Sequence, residues 1–150
     1  MKTNLYNTDF ALWLEKQAIA LKNRDINSLD WDNLVEEIES LGNRDKREIN
    51  SLSYRLLSHL LFYCYWADHR ELYLNGWQTE IDNFRNDLLA LLESKTYYNY
   101  FLNQLETNYD KALKMAKKKV ERSKLYTLPS FPQNCPFTIE QILDEDFYEV

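Results

Sequence analysis

The chain reads as all-α: an antiparallel helical bundle of four to five helices, followed by an extended proline-containing C-terminal arm and a short final helix. Three observations predict this. Apolar residues recur at three- and four-residue intervals along most of the chain. Only two glycines and three prolines occur in 150 residues, far too few for the many turns of an all-β fold. The stretches between periodic segments are short and polar, as expected between antiparallel neighbours. One domain is expected over residues 1–150, with the bundle at about 8–124 and the arm at 125–150.

The first helix is expected to open at Thr8 as N-cap, with Asp9 in its first turn. Phe10, Trp13, Leu14, Ala18 and Leu21 form its apolar stripe, and it closes near Arg24. Asp25 to Leu29 is a polar connection. Asp30 caps the second helix, with Trp31, Leu34, Val35, Ile38 and Leu41 as its buried stripe. Gly42 and Asn43 can end it, and Asp45 with Glu48 spells a new capping box. Leu34, Ile38, Leu41, Ile49, Leu52, Leu56, His59 and Tyr63 nevertheless keep nearly one face through the glycine. A bend or short break is therefore expected there, with one continuous helix as the alternative. Leu52 to Trp66 is apolar on most sides and belongs at the centre of the bundle.

Asp68 to Asn75 reads as a polar connection. After Gly76, the set Trp77, Ile81, Phe84, Leu88, Leu91 and Leu92 makes another helix, closing near Ser94. The last long helix runs from about Tyr97 to Arg122 on Phe101, Leu102, Leu105, Tyr109, Ala112, Leu113, Ala116 and Val120. Pro129, Pro132 and Pro136 then hold Leu125 to Phe137 extended. Thr138 and Gln141 form a capping box for a short helix through Ile139, Ile142 and Leu143. Phe131, Phe137 and Phe147 require the arm to lie back on the bundle.

The net charge of −6 averages opposed blocks. Lys111 to Lys124 holds seven bases against the single acid Glu121, while Asp30 to Leu41 holds five acids and no base. The tail from Thr138 carries five more acids. Such runs usually mark solvated faces, and cations suit a helix C-terminus. A nucleic-acid partner held through Lys114, Lys117, Lys118, Lys119, Arg122 and Lys124 is the alternative. No run approaches the roughly 20 apolar residues of a membrane span, and MKTNLYNTDF has no signal-peptide core. Membrane association is therefore not expected. Cys64 and Cys135, far apart, make no disulfide framework, which points to a reducing cytoplasm.

Several segments together carry a resemblance. They are Tyr6-x-x-Asp9-Phe10-x-x-Trp13, the run Leu29-Asp30-Trp31 through Glu36-Glu37-Ile38-Glu39-Ser40-Leu41-Gly42, and Leu56-Leu57-Ser58-His59-Leu60-Leu61. Gly76-Trp77-x-Thr79-x-Ile81, Phe131-Pro132-x-x-Cys135-Pro136 and Gln141-x-Leu143-Asp144-x-Asp146-Phe147 complete the set. In order and spacing they resemble the domain of unknown function 29 family, a bacterial group with many cyanobacterial members. The chain departs from that pattern at Phe62-Tyr63, where members often have Lys-Trp. It departs again at Ala67-Asp68-His69-Arg70-Glu71, where a Gln-Pro-Glu-Arg-Arg-like stretch is usual. The resemblance implies a compact all-helical cytoplasmic protein and carries no activity with it.

Three constellations could carry chemistry. Glu36 and Glu39 share a helix face, and with Glu37 and His59 they offer a mixed oxygen and nitrogen ligand set for a divalent metal. The bland reading is a solvated acidic face. Arg55 and His59 stand at i, i+4, as a phosphate-orienting Arg and a proton-transferring His would. Their spacing is one residue short of the pattern in helical ribonucleases of the toxin type. His59 in an apolar helix otherwise reads as a core residue bonded to a Tyr or Glu, and His69 as an exposed one. With only Gly42 and Gly76, no glycine-rich phosphate loop exists and no cofactor is expected. The leading reading is a non-enzymatic interaction or scaffold domain that engages a protein partner or a second copy of itself. The alternative is a metal-assisted or ribonuclease-like hydrolase using His59 with Glu36, Glu37 and Glu39, or with Arg55.

Overall fold

The computed structural model describes residues 4–123 and 129–149, and their side chains other than those of 67–72 and 74. Among them are six α-helices and no strand: α1 Leu5–Thr8, α2 Phe10–Lys22, α3 Trp31–Tyr65, α4 Ala67–Leu91, α5 Lys95–Arg122 and α6 Ile139–Leu143. A 3-10 turn, Ile26–Ser28, links α2 to α3. The chain divides into two units, Met1–Arg44 and Asp45–Val150.

The second unit holds the bundle. Tyr63 pairs with Gln78, Trp66 stacks on Trp77, and His59 meets Phe84, so α3 and α4 run antiparallel. Tyr97 bonds Asp45, Tyr100 bonds Asn50, and the Ala112 carbonyl accepts from Ser58, so α5 runs parallel to α3. The result is an up–down–up bundle. Ile49, Leu56, Leu57, Leu60 and Leu61 of α3 are wholly buried against Ile81 and Leu88 of α4 and Phe101, Ala112 and Ala116 of α5. Fully burying each leucine or isoleucine stabilises the fold by about 1.5–3 kcal/mol.

The arm lies back as its aromatics require. Phe131 and Phe137 are buried, Phe147 packs edge-on against Phe137, and the Tyr109 hydroxyl donates to the Pro132 carbonyl. Thr138 and Gln141 close the expected capping box. Arg85 of α4, 1% exposed, donates from Nε to the Ile142 carbonyl at 2.8 Å, and the Tyr148 ring lies 6.0 Å from its guanidinium. The Tyr148 hydroxyl in turn donates to Asp82 at 2.7 Å.

In the first unit, Trp13 Nε1 and the Asn33 amide both donate to the Asp30 carboxylate, while Asp30 N–H donates to the Gln17 side chain. Tyr6, Phe10 and Trp13 cluster with ring centroids 4.9–5.8 Å apart. The Tyr6 hydroxyl donates to Glu37, and that bond pushes its pKa up to about 12. Arg24 adopts φ 57° and closes α2, with Asp25 N–H donating to the Ala20 carbonyl, a left-handed cap more usual for glycine.

Several sequence expectations are corrected. Asp9, not Thr8, caps α2, accepting from Leu12 N–H. There is no break at Gly42: α3 is one helix, and Asp45 receives the Tyr97 hydroxyl in place of starting a capping box. Asp68 to Asn75 belongs to α4, and Trp66 alone separates it from α3. The last long helix begins at Lys95, with Ser94 as its cap. Of the first helix's apolar stripe, Trp13 is buried while Phe10, Leu14 and Leu21 are exposed, and Gln17 and Ala20 are buried beside Trp13; of the second stripe, Trp31, Val35, Ile38 and Leu41 are exposed. The expectations on Leu125 to Leu128, Lys124 and the His69 side chain lie outside the described residues.

Candidate functional site

Because α3 and α5 run parallel, their C-terminal halves lie side by side, and the cations of both come together. Small side chains make this close approach feasible. Ser58 donates to the Tyr54 carbonyl at 2.7 Å and reaches the Ala112 carbonyl at 3.4 Å. A groove of about 360 Å³ opens beside that contact. Arg55, Ser58, His59 and Phe62 of α3 line one wall, and Met115, Lys118, Lys119 and Arg122 of α5 line the other.

His59 is held on three sides. Its Nδ1 lies 2.8 Å from the Arg55 carbonyl. A carbonyl only accepts, so Nδ1 carries the hydrogen and Nε2 is the acceptor of the neutral ring. Phe62 and Phe84 meet the imidazole edge-on at 5.4 and 5.2 Å. Burial pushes the His59 pKa down, and the Lys119 and Arg55 charges add to that; the Arg55 carbonyl and Glu80 oppose it. The ring is therefore neutral at pH 7.

The cations rest on aromatic surface. Lys119 Nζ stands 5.0 Å from the Phe62 ring centroid, and the Arg55 guanidinium 5.5 Å from that of Phe84. Arg55 Nε also donates to Ser51 at 3.0 Å. No carboxylate is among the residues lining the groove. Four fixed positive charges thus surround an apolar floor, an arrangement that can bind an anion carrying a flat or apolar group.

The structure joins two sequence readings that had stood apart, the Arg55/His59 pair and the basic end of the last long helix. Lys118, Lys119 and Arg122 reach the groove, whereas Lys114 and Lys117 line another hollow with Asp110. Ser58, Phe62 and Met115 were not foreseen as lining. The available signal was topological: in a three-helix up–down–up bundle the first and third helices share a direction. Glu36 and Glu39 are exposed, and Glu37 receives Tyr6, in the first unit, while His59 belongs to the second. Among the described residues no group of three or more His, Cys, Asp or Glu stands close enough to hold a metal ion. A larger cavity of about 700 Å³ in the first unit, around Trp13, Gln17 and Asp30, mixes Lys16 with Asp30 and Asp32. Its central polar groups bond to one another. No helix among the described residues is long and apolar enough to cross a membrane.

Comparison with known proteins agrees with the sequence motifs. No curated protein and no solved structure matches the chain. The family model described as domain of unknown function DUF29 matches residues 5–148, spanning both units, and the chain belongs to that family.

Proposed function

We propose that this protein is an interaction module that holds a single-stranded, phosphate-bearing chain in the groove between α3 and α5, without a catalytic step. The observation that carries this reading is the convergence of Arg55, Lys118, Lys119 and Arg122 around Phe62 and Met115 with no lining carboxylate. Phosphates would pair with the cations, and bases or other flat groups would lie on the apolar floor. The overall charge of −6 does not oppose this, because exposed charges beyond about 8 Å are screened at physiological salt. Cleavage is the second reading, favoured by one observation: His59 offers a neutral Nε2 beside Arg55. Phosphodiester cleavage needs a base and an acid, and the lining supplies a single imidazole, so binding is preferred.

A fluorescently labelled 12-nucleotide single strand tests the reading by anisotropy. Binding is expected to weaken with salt along a log–log slope near −3, roughly 0.7 for each of four cations. Lys119→Glu with Arg122→Glu should abolish it, and Lys114→Glu with Lys117→Glu, outside the groove, should leave most of it. Absence of binding at 50 mM salt, or equal loss from both pairs, overturns the proposal. Strand cleavage that disappears in His59→Ala would promote the second reading.

A further inference from the structure

We propose that the cavity between α4 and the segment after α6 binds a free basic α-amino acid, with Arg85 holding its carboxylate. The cavity measures about 270 Å³ and is lined by Asp82, Arg85 and Asn86 of α4 and by Glu145, Asp146 and Tyr148 of the arm. Arg85 is the anomaly. It is 1% exposed, its Nε is committed to the Ile142 carbonyl at 2.8 Å, and its Nη1 and Nη2 have no hydrogen-bond partner among the described residues. Buried charges are ordinarily paired and buried donors ordinarily satisfied, so the guanidinium calls for an acceptor. The bond from Nε fixes the group and leaves the two Nη atoms as a fork, the geometry that a carboxylate accepts in two parallel bonds.

The rim narrows the ligand class. Asp82, Glu145 and Asp146 place three carboxylates around one guanidinium, so a phosphate or a dicarboxylate is repelled and a simple cation meets Arg85. A basic α-amino acid answers both, with one carboxylate for the fork and two cationic groups for the rim. The volume lies just below the usual range for ligand pockets and suits a single free amino acid better than a peptide. Tyr148 controls entry. Its ring lies 6.0 Å from the guanidinium and its hydroxyl donates to Asp82 at 2.7 Å, in a segment outside any helix. Turning that ring aside opens the fork and releases the Asp82 carboxylate to the ligand's ammonium. No residue is shared with the α3–α5 groove, so the two proposals stand or fall independently.

Calorimetric titration of the full chain with L-arginine tests this. Binding is expected with a Kd below about 1 mM, and agmatine, which lacks the carboxylate, should bind at least about 10-fold more weakly. Arg85→Met should abolish L-arginine binding, but that change also removes the bond to the Ile142 carbonyl. A second variant, Glu145→Gln with Asp146→Asn, alters only exposed positions. It should weaken L-arginine about 3-fold or more with helical circular dichroism unchanged. No heat at roughly 10 mM L-arginine overturns the proposal, as does agmatine binding as tightly as L-arginine. Binding unchanged in the Glu145/Asp146 variant, or retained by a folded Arg85→Met variant, also overturns it.

Discussion

The two halves of α3 carry the same kind of apolar pattern and meet opposite fates. Ile49, Leu52 and Leu56 repeat at three and four residues and are 0–2% exposed beneath α4 and α5. Trp31, Val35 and Ile38 repeat the same way and stand more than half exposed. Periodicity states which face of a helix is apolar, and only a neighbouring element decides whether that face leaves water. In the second unit α4 and α5 supply that neighbour. In the first, α2 presents Trp13, Gln17 and Ala20 inward and leaves its own leucines outside.

Substitutions can break or sharpen this contrast. Leu60→Ala, at a wholly buried position, should cost about 3 kcal/mol in urea unfolding. Ile38→Ala, at an exposed position, should stay within about 0.5 kcal/mol. Equal costs would erase the distinction between the halves. Arg85→Ala removes the buried bond to the Ile142 carbonyl and should cost about 2 kcal/mol. It should also free the α6 segment, visible as faster hydrogen exchange there than across α3; uniform exchange would assign Arg85 to the bundle alone. Smaller and opposite in sign is Gly42→Ala. A Cβ at Gly42 meets nothing within 4 Å, so restoring ordinary helix propensity should stabilise by roughly 0.5–1 kcal/mol. A fall in thermal midpoint would show that the α3 backbone needs glycine there.

The comparison also explains what could be read from residues alone. The Thr138–Gln141 capping box, the buried Phe131 and Phe137, and the body of the 95–122 helix were legible because each depends on local chemistry or strong periodicity. Residues 68–75 read as a connection because their polar run interrupts the apolar stripe, yet nothing in it breaks a helix: proline is absent and Gly76 sits inside α4. Gly42 likewise looked like a stop because its cost, about 1 kcal/mol, is small beside the packing of the rest of α3. The site was half legible. Arg55 and His59 could be paired from i, i+4 spacing, but joining them to Lys118, Lys119 and Arg122 requires the parallel register of α3 and α5, which no local pattern encodes.

That convergence is the central claim, and His59 reports on it from inside the groove. Burial lowers its pKa in the free protein, so the imidazole charges only below pH 6.5, its ordinary value. The unfolded chain binds that proton more readily, so this residue's contribution to stability is present above 6.5 and is lost as pH falls through that value toward the lowered folded one. A phosphodiester held beside Arg55 and Lys119 favours the charged ring, so ligand should raise the His59 pKa and affinity should rise as pH falls below 6.5. Titration of the His59 ring by heteronuclear NMR, without and with a saturating 12-nucleotide strand, measures this directly. An upward shift at His59 is the predicted result. A His59 titration unchanged by the bound strand would contradict the account.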